Sequence, residues 1–204
     1  LAQFDQAAKY YERYARKFSR NKEASGALYN AALLNKGLHR FDKAVVLFEL
    51  FSKRYSRDEL VSDALLEAAE LKERLGDHRG AIAGFTQYAS VVKGQYDEKL
   101  HAEAKAAELT ARHISASKGL KKLEELRKIL TAKGAPAAYD ARSIVAKVYF
   151  ANLDRDFARF NKIKIDNPDI IEKQVEAKQN SLLNLAERYQ KVIELANAEY
   201  TVAS

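Results

Sequence analysis

Apolar side chains recur along this chain at spacings of three, four and seven, which places them on one stripe of a helix. The stripe is itself repeated. Phe4-Asp5-x-Ala7-x-x-x-Tyr11-x-x-Tyr14-x-x-x-Phe18 returns as Phe41-Asp42-x-Ala44-x-x-x-Phe48-x-x-Phe51-x-x-x-Tyr55, and in weaker form as His78-Arg79-x-Ala81-x-x-x-Phe85-x-x-Tyr88-x-x-x-Val92. Phe4 to Phe41 and Phe41 to His78 are each 37 positions apart. A second block keeps the same offset: Ala27-Leu28 with Ala64-Leu65, Ala31-Ala32 with Ala68-Ala69, and Leu38 with Leu75. Each unit predicts a helix of small residues, a tight turn, and a helix striped with aromatics. The alanines let the rings of the neighbouring helix come close.

The turns carry chemistry of their own. Gly76-Asp77-His78 supplies a residue able to take positive φ, and Leu38-His39-Arg40 plays the same part without glycine. His39 and His78 read as equivalent turn residues. Ser56-Arg57-Asp58-Glu59 reads as a capping box opening the second small-residue helix. These repeats predict a first region over 1–95. Over 96–165 the register fades but the helical pattern does not. Asp97 is expected to cap a helix reaching about Ser117 and ended by Gly119. A short helix striped by Leu120, Leu123, Leu126, Ile129 and Leu130 follows. Pro136 is placed in the first turn of a long helix over 137–165, kinked near Asn152. Asp166-Asn167-Pro168 opens a last region, 166–204, expected as one helix about 50 Å long at about 1.5 Å per residue. Its half-covered apolar stripe reads as the approach to a further repeat or as a surface for homo-oligomer assembly.

Composition narrows the fold class to all-α. The 204 residues include 34 Ala but only 2 Pro and 8 Gly, the two residues that helix interiors exclude. With no Cys, thiolate catalysis, Cys-based zinc sites and disulfides are out. A start at Leu1 and the lack of Met read as a processed or excised piece. No apolar run approaches the roughly 20 residues of a membrane-spanning helix.

With these residues in view, the chain resembles the tetratricopeptide repeat (TPR) family. Leu28, Ala31, Ala32, Ala44, Phe48 and Ser56 stand at its large, small, small, small, aromatic and closing-proline positions, the last without its proline. The period of 37 exceeds the usual value of about 34, and bulky Tyr14 and Phe51 replace a small residue. Both departures are similar to the branch found in bacterial cell-envelope proteins such as the Tol-Pal coordinator and the outer-membrane assembly lipoproteins. The resemblance implies a right-handed α-solenoid of antiparallel helix pairs. It also implies a protein-interaction scaffold and a periplasmic location, with outer-membrane association; the cytoplasm is the alternative. It implies no carboxylate clamp of the cochaperone kind, because the matching positions hold Tyr29, Leu33, Glu67, Leu100 and Ala104.

No catalytic, cofactor-binding or metal-ligating constellation stands out. His39, His78, His101 and His113 lack the i, i+4 pairing of a zinc helix, and no glycine-rich phosphate loop is present. Two surfaces remain. Tyr29, Leu33 and Lys36, with Leu66, Glu70 and Glu73 one repeat later, are expected to line an inner groove for an extended peptide or a helix. The second is electrostatic. Residues 1–57 hold twelve Lys/Arg against five acids and so account for the whole net charge of +7. Arg13, Arg16, Lys17, Lys53, Arg54 and Arg57 form the expected basic patch, at helix ends that favour cations. The alternative function is therefore binding of an anionic polymer or membrane surface through that patch. No nucleic-acid recognition motif accompanies it.

Overall fold

The computed structural model describes residues 2–196. Among the described residues nine α-helices follow in order: α1 (Ala2–Lys17), α2 (Ala24–Gly37), α3 (Phe41–Arg54), α4 (Val61–Arg74), α5 (His78–Val91), α6 (Tyr96–His113), α7 (Ala116–Thr131), α8 (Tyr139–Lys162) and α9 (Ile171–Ile193). A 3-10 turn, Pro168–Ile170, precedes α9. There is no strand among the described residues. From α1 to α7 each helix packs on the next in chain order; α6 also packs on α8, which carries α9. The architecture is all-helical and repeat-like.

The 37-residue register is a physical one. α2 and α4 start at Ala24 and Val61, and α3 and α5 start at Phe41 and His78, each pair 37 apart. The small residues Ala27, Ala31, Ala32, Ala64, Ala68 and Ala69 are buried, as are the rings of Phe48, Phe51 and Phe85. Burying one such ring contributes about 1.5–3 kcal/mol. Alanine on the facing helix allows it, because no side chain holds the two backbones apart. One core joins α1 to α4 around Leu28, Phe48 and Phe51, and a second joins α4 to α6 around Phe85 and Tyr88. A third, around Leu123, Leu130, Val145 and Val192, unites α6 to α9. There the repeat register is lost, because α6 runs to 18 residues where α2 and α4 have 14.

Several local expectations are corrected. In the two repeat turns the expected positive φ is present, at His39 (φ 57) and its register counterpart Gly76 (φ 80). His78 is no turn residue: it opens α5, behind an Asp77 cap that accepts from Gly80 N at 2.9 Å, and its ring stacks on His113 with centroids 3.5 Å apart. Ser56 does not cap α4, which starts at Val61; Asp58 holds the intervening turn by accepting from Leu60 N at 3.1 Å. Gln95, not Asp97, stands at the amino-terminal cap of α6, and Asp97 lies in its first turn. α6 ends at His113, Ser115 caps α7, and Gly119 lies inside α7 at a close helix contact. Pro136 stays in the loop before α8, whose cap is Ala138 at φ 35. α8 is a single helical span that includes Asn152, whose side-chain amide donates to the Val148 carbonyl at 2.8 Å; an unbroken span neither requires nor excludes the expected kink.

The last region is not one 50 Å helix. Asn167 caps the short 3-10 turn by accepting from Asp169 N, and α9 spans 23 residues, about 35 Å. The expected approach to a further repeat falls on 197–204, outside the described residues. Arg142 locks this half together. Its guanidinium donates to the carbonyls of Ala137, Leu130, Pro136 and Leu195, joining the end of α7, the Pro136 loop and the turn after α9.

Candidate functional site

The inner-face residues come from α2, α4 and α6. Lys36 on α2 pairs with Glu67 on α4, and Glu73 on α4 pairs with Lys105 on α6 at 2.8 Å. Lys36 and Glu73 are register equivalents, 37 apart. The same inter-helix contact is therefore made twice with the charges exchanged. Partly exposed pairs of this kind each contribute roughly 0–1 kcal/mol. Their larger effect is to tie α2 to α4 and α4 to α6 while partly neutralising Glu67 and Glu73.

Of the apolar positions, Leu33 is exposed while Tyr29 and Leu66 are half-buried. Tyr29 leans on Phe48 and Phe51, ring centroids 5.6 and 5.4 Å away. Burial, and after it the Asp63 and Glu67 carboxylates, pushes its phenol above the ordinary value. Leu66 packs against the core shared by α4, α5 and α6. Glu70 stays at the surface, but crowding by the neighbouring helices and the Glu67 carboxylate raises its carboxyl above the usual range, with Lys36, His101 and Lys105 pulling the other way. The six expected groove residues thus lie on adjoining helices, with Leu33 as the apolar side chain that reaches solvent most freely. Glu67 and Lys105 complete this surface. Glu67 was visible in sequence as a clamp-position residue; Lys105 was not, because α6 is out of the 37-residue register.

The basic residues gather at the carboxyl ends of α1 and α3. Arg54 reaches the Ala15 carbonyl at 3.5 Å and Tyr55 donates to the Ser19 carbonyl at 3.3 Å, which sets the two ends side by side. Arg16 pairs with Glu12 at 2.8 Å, and the Lys17 ammonium lies 5.4 Å from the centroid of the Phe18 ring. Arg13, Lys53 and Arg57 are exposed and make no ion pair among the described residues.

A third feature was not anticipated as a site. An open groove of about 890 Å3 runs between α1 and the start of α2, lined by Tyr10, Tyr11, Tyr14 and Phe18 with Arg13 and Lys17 at its edge. The signal was present in the repeat itself: α1 carries the same stripe as α3.

Two ionic clusters elsewhere hold helices together. Glu124 on α7 accepts two hydrogen bonds from Arg127, at 2.9 and 3.1 Å, and one from the Tyr149 hydroxyl on α8. Arg127 also reaches Glu194 at 2.8 Å. Arg127 first, and Tyr149 after it, hold the Glu124 carboxyl down at about 2 against the burial that would raise it. Glu108, buried on α6, faces Arg112 at 3.2 Å and Lys147 of α8 at 3.5 Å.

Among the described residues, no group of three or more His, Asp or Glu is arranged to hold a metal ion, and no helix is long and apolar enough to cross a membrane. No protein-family model, curated protein or solved structure matches this chain.

Proposed function

We propose that the chain is a non-enzymatic protein-interaction scaffold, built as a right-handed α-solenoid of TPR-like helix pairs. The observation that carries this reading is the repeated inner-face contact, Lys36–Glu67 followed by Glu73–Lys105. It aligns α2, α4 and α6 along one surface, with Leu33 exposed beside it. A repeat whose units contact chiefly their neighbours makes an extended surface of this kind. The partner is an extended peptide or a helix laid across α2 and α4, contacting Leu33, Lys36, Glu70 and Glu73. The resemblance in sequence supports a place in a bacterial envelope assembly, in the periplasm. The exposed Leu182 and Leu183 of α9 offer a separate surface for self-assembly.

The test is affinity capture from envelope extract at about 0.1 M and about 0.5 M salt, identified by mass spectrometry, with the wild-type chain and Leu33→Glu. Leu33 is the position to change, since charging Tyr29 or Leu66 would also damage the core. A defined protein that survives the higher salt and is lost with Leu33→Glu supports the scaffold. Capture unaffected by Leu33→Glu would refute the inner face as its site.

The unpaired Arg13, Lys53 and Arg57 favour a second reading, an electrostatic binder of an anionic polymer or membrane surface. That reading requires capture of nucleic acid or lipid that disappears at the higher salt and on reversing Arg13, Lys17 and Arg54.

A further inference from the structure

The cleft enclosed by α7, α8 and α9 carries more positive charge than its own carboxylates neutralise. It measures about 520 Å3, within the range of small-molecule sites. Leu120, Tyr149 and Leu153 give it an apolar surface from α7 and α8. Its charged lining is Glu124 from α7, Arg155, Asp156 and Arg159 from α8, and Arg188 and Lys191 from α9. Four cations thus face two acids. Asp154 and Glu187 stand on the same helices but do not line the cleft.

Both lining acids are already engaged. Glu124 accepts from Arg127 at 2.9 and 3.1 Å and from the Tyr149 hydroxyl, and Arg127 lies outside the lining, so this carboxylate takes little from the cleft. Asp156 is half-buried and accepts from Arg188 and, at 3.3 Å, from Arg159. One carboxylate shared by two guanidiniums leaves a surplus charge and unused N–H donors on both. Arg155 donates to the neutral side-chain amide of Asn152 and keeps its full charge. Lys191 is half-buried and makes no ion pair among the described residues.

The helical register gathers these cations. Arg155 and Arg159 are four apart on α8, and Arg188 and Lys191 are three apart on α9, so each pair shares a helix face. Asp156 ties one face to the other through Arg159 and Arg188. Asn152 and Asp156 also restrain three of the side chains in advance, which lessens the entropy a ligand must overcome.

The surplus is particular to this place. A cleft of about 480 Å3 between α5, α6 and α7 has a balanced charged lining, Lys99 and Lys122 against Glu103 and Glu125. The chain's net charge resides in residues 1–57, so the cations here are concentrated by the fold within a stretch that is neutral as a whole. Guanidinium groups match the oxygens of phosphate in paired hydrogen bonds, and a phosphate monoester carries about −1.5 to −2 at neutral pH, which suits a lining with two cations in excess.

We propose that the cleft between α7, α8 and α9 binds a small phosphate monoester with an apolar body. Lys191, Arg155 and the free donors of Arg159 and Arg188 hold the phosphate, and the body lies against Leu120, Tyr149 and Leu153. The site shares no residue with the inner face of α2, α4 and α6, so it stands or falls apart from the scaffold reading.

The full chain is titrated by calorimetry with phenyl phosphate at neutral pH. Phenyl sulfate, of the same shape with a single charge, and inorganic phosphate, without the body, are the comparison ligands. Expected are one saturable site for phenyl phosphate and severalfold weaker binding of the other two. Lys191→Met and Arg155→Gln should each weaken phenyl phosphate about tenfold, the loss of a hydrogen bond to a charged group, while Arg13→Gln in the basic patch leaves it unchanged. Arg155 is exposed, so Arg155→Gln remains a fair test even where Lys191→Met lowers the melting temperature. Absence of saturable binding, equal affinity for phenyl sulfate, or unchanged affinity in either variant would each overturn the proposal. So would binding seen only with phosphatidylcholine vesicles containing phosphatidic acid, because the phosphate would then be read on a membrane surface.

Discussion

Gly119 of α7 lies directly on the backbone of Ala111 in α6. A β-carbon at Gly119 would sit 2.3 Å from the Ala111 nitrogen and 2.4 Å from its α-carbon. Neither atom can rotate away, so the glycine sets how closely these two helices approach. Gly119→Ala should lower stability by about 1–3 kcal/mol through overpacking, although the same change in an open helix gains about 0.5–1 kcal/mol. Gly26→Ala is the control, since nothing lies within 4 Å of the added carbon. Chemical denaturation of both variants checks the contrast.

Phe48 and Tyr11 occupy the same repeat position in opposite environments. Phe48→Ala should cost about 3–5 kcal/mol, the transfer loss plus the cavity it leaves under α2. Tyr11→Ala should stay within about 0.5–1 kcal/mol, because much of its ring is already in water. Equal losses in thermal melts would mean that the free α1 face is covered in solution.

Glu124 makes stability pH-dependent in a defined window. Its folded value is held at about 2 against an ordinary 4.5, so the unfolded chain takes up the proton first as pH falls. The stabilisation is complete above about pH 4.5 and is lost on acidification toward pH 2. Glu124→Gln should flatten the stability profile between these limits and leave it parallel to wild type at neutral pH. Urea titrations across that range measure this.

Arg142 is the positioning residue for the carboxyl-terminal half. Arg142→Met keeps the stem and removes donors to four carbonyls, so it should cost about 1–3 kcal/mol. Hydrogen exchange should accelerate at the end of α9 and in the Pro136 loop, while α2 to α4 keep their protection. Uniform acceleration would show that the two halves unfold as one unit.

Much of the first half was legible because one physical rule operates twice. Ala31-Ala32 and Ala68-Ala69 can only be core if aromatic helices lie against them, and Phe48 and Phe85 lie in register to do so. His39 illustrates what was less legible. A positive-φ residue was expected in the Leu38-His39-Arg40 turn, but that His39 takes it is shown only by the structure, where it matches Gly76. The candidate inner face was readable as a set of helix positions. How far Tyr29 and Leu66 sink toward the core was not, because that depth depends on the neighbouring helices.

In the second half the errors share one cause. Gly119 looked like a helix stop because glycine is a poor helix former, yet at this contact the absence of a β-carbon outweighs that propensity. His78 and His113, Lys105 and Glu73, and Arg142 and Leu195 come together from distant parts of the chain without a shared motif. The sequence by itself determined the helical class, the repeat and the stripe that each repeated helix buries, since these follow from local periodicity and side-chain size. Only the tertiary structure decided which stripes were actually covered, which charges neutralised one another and where the helices ended. Those outcomes depend on the distance between elements that local propensity does not encode.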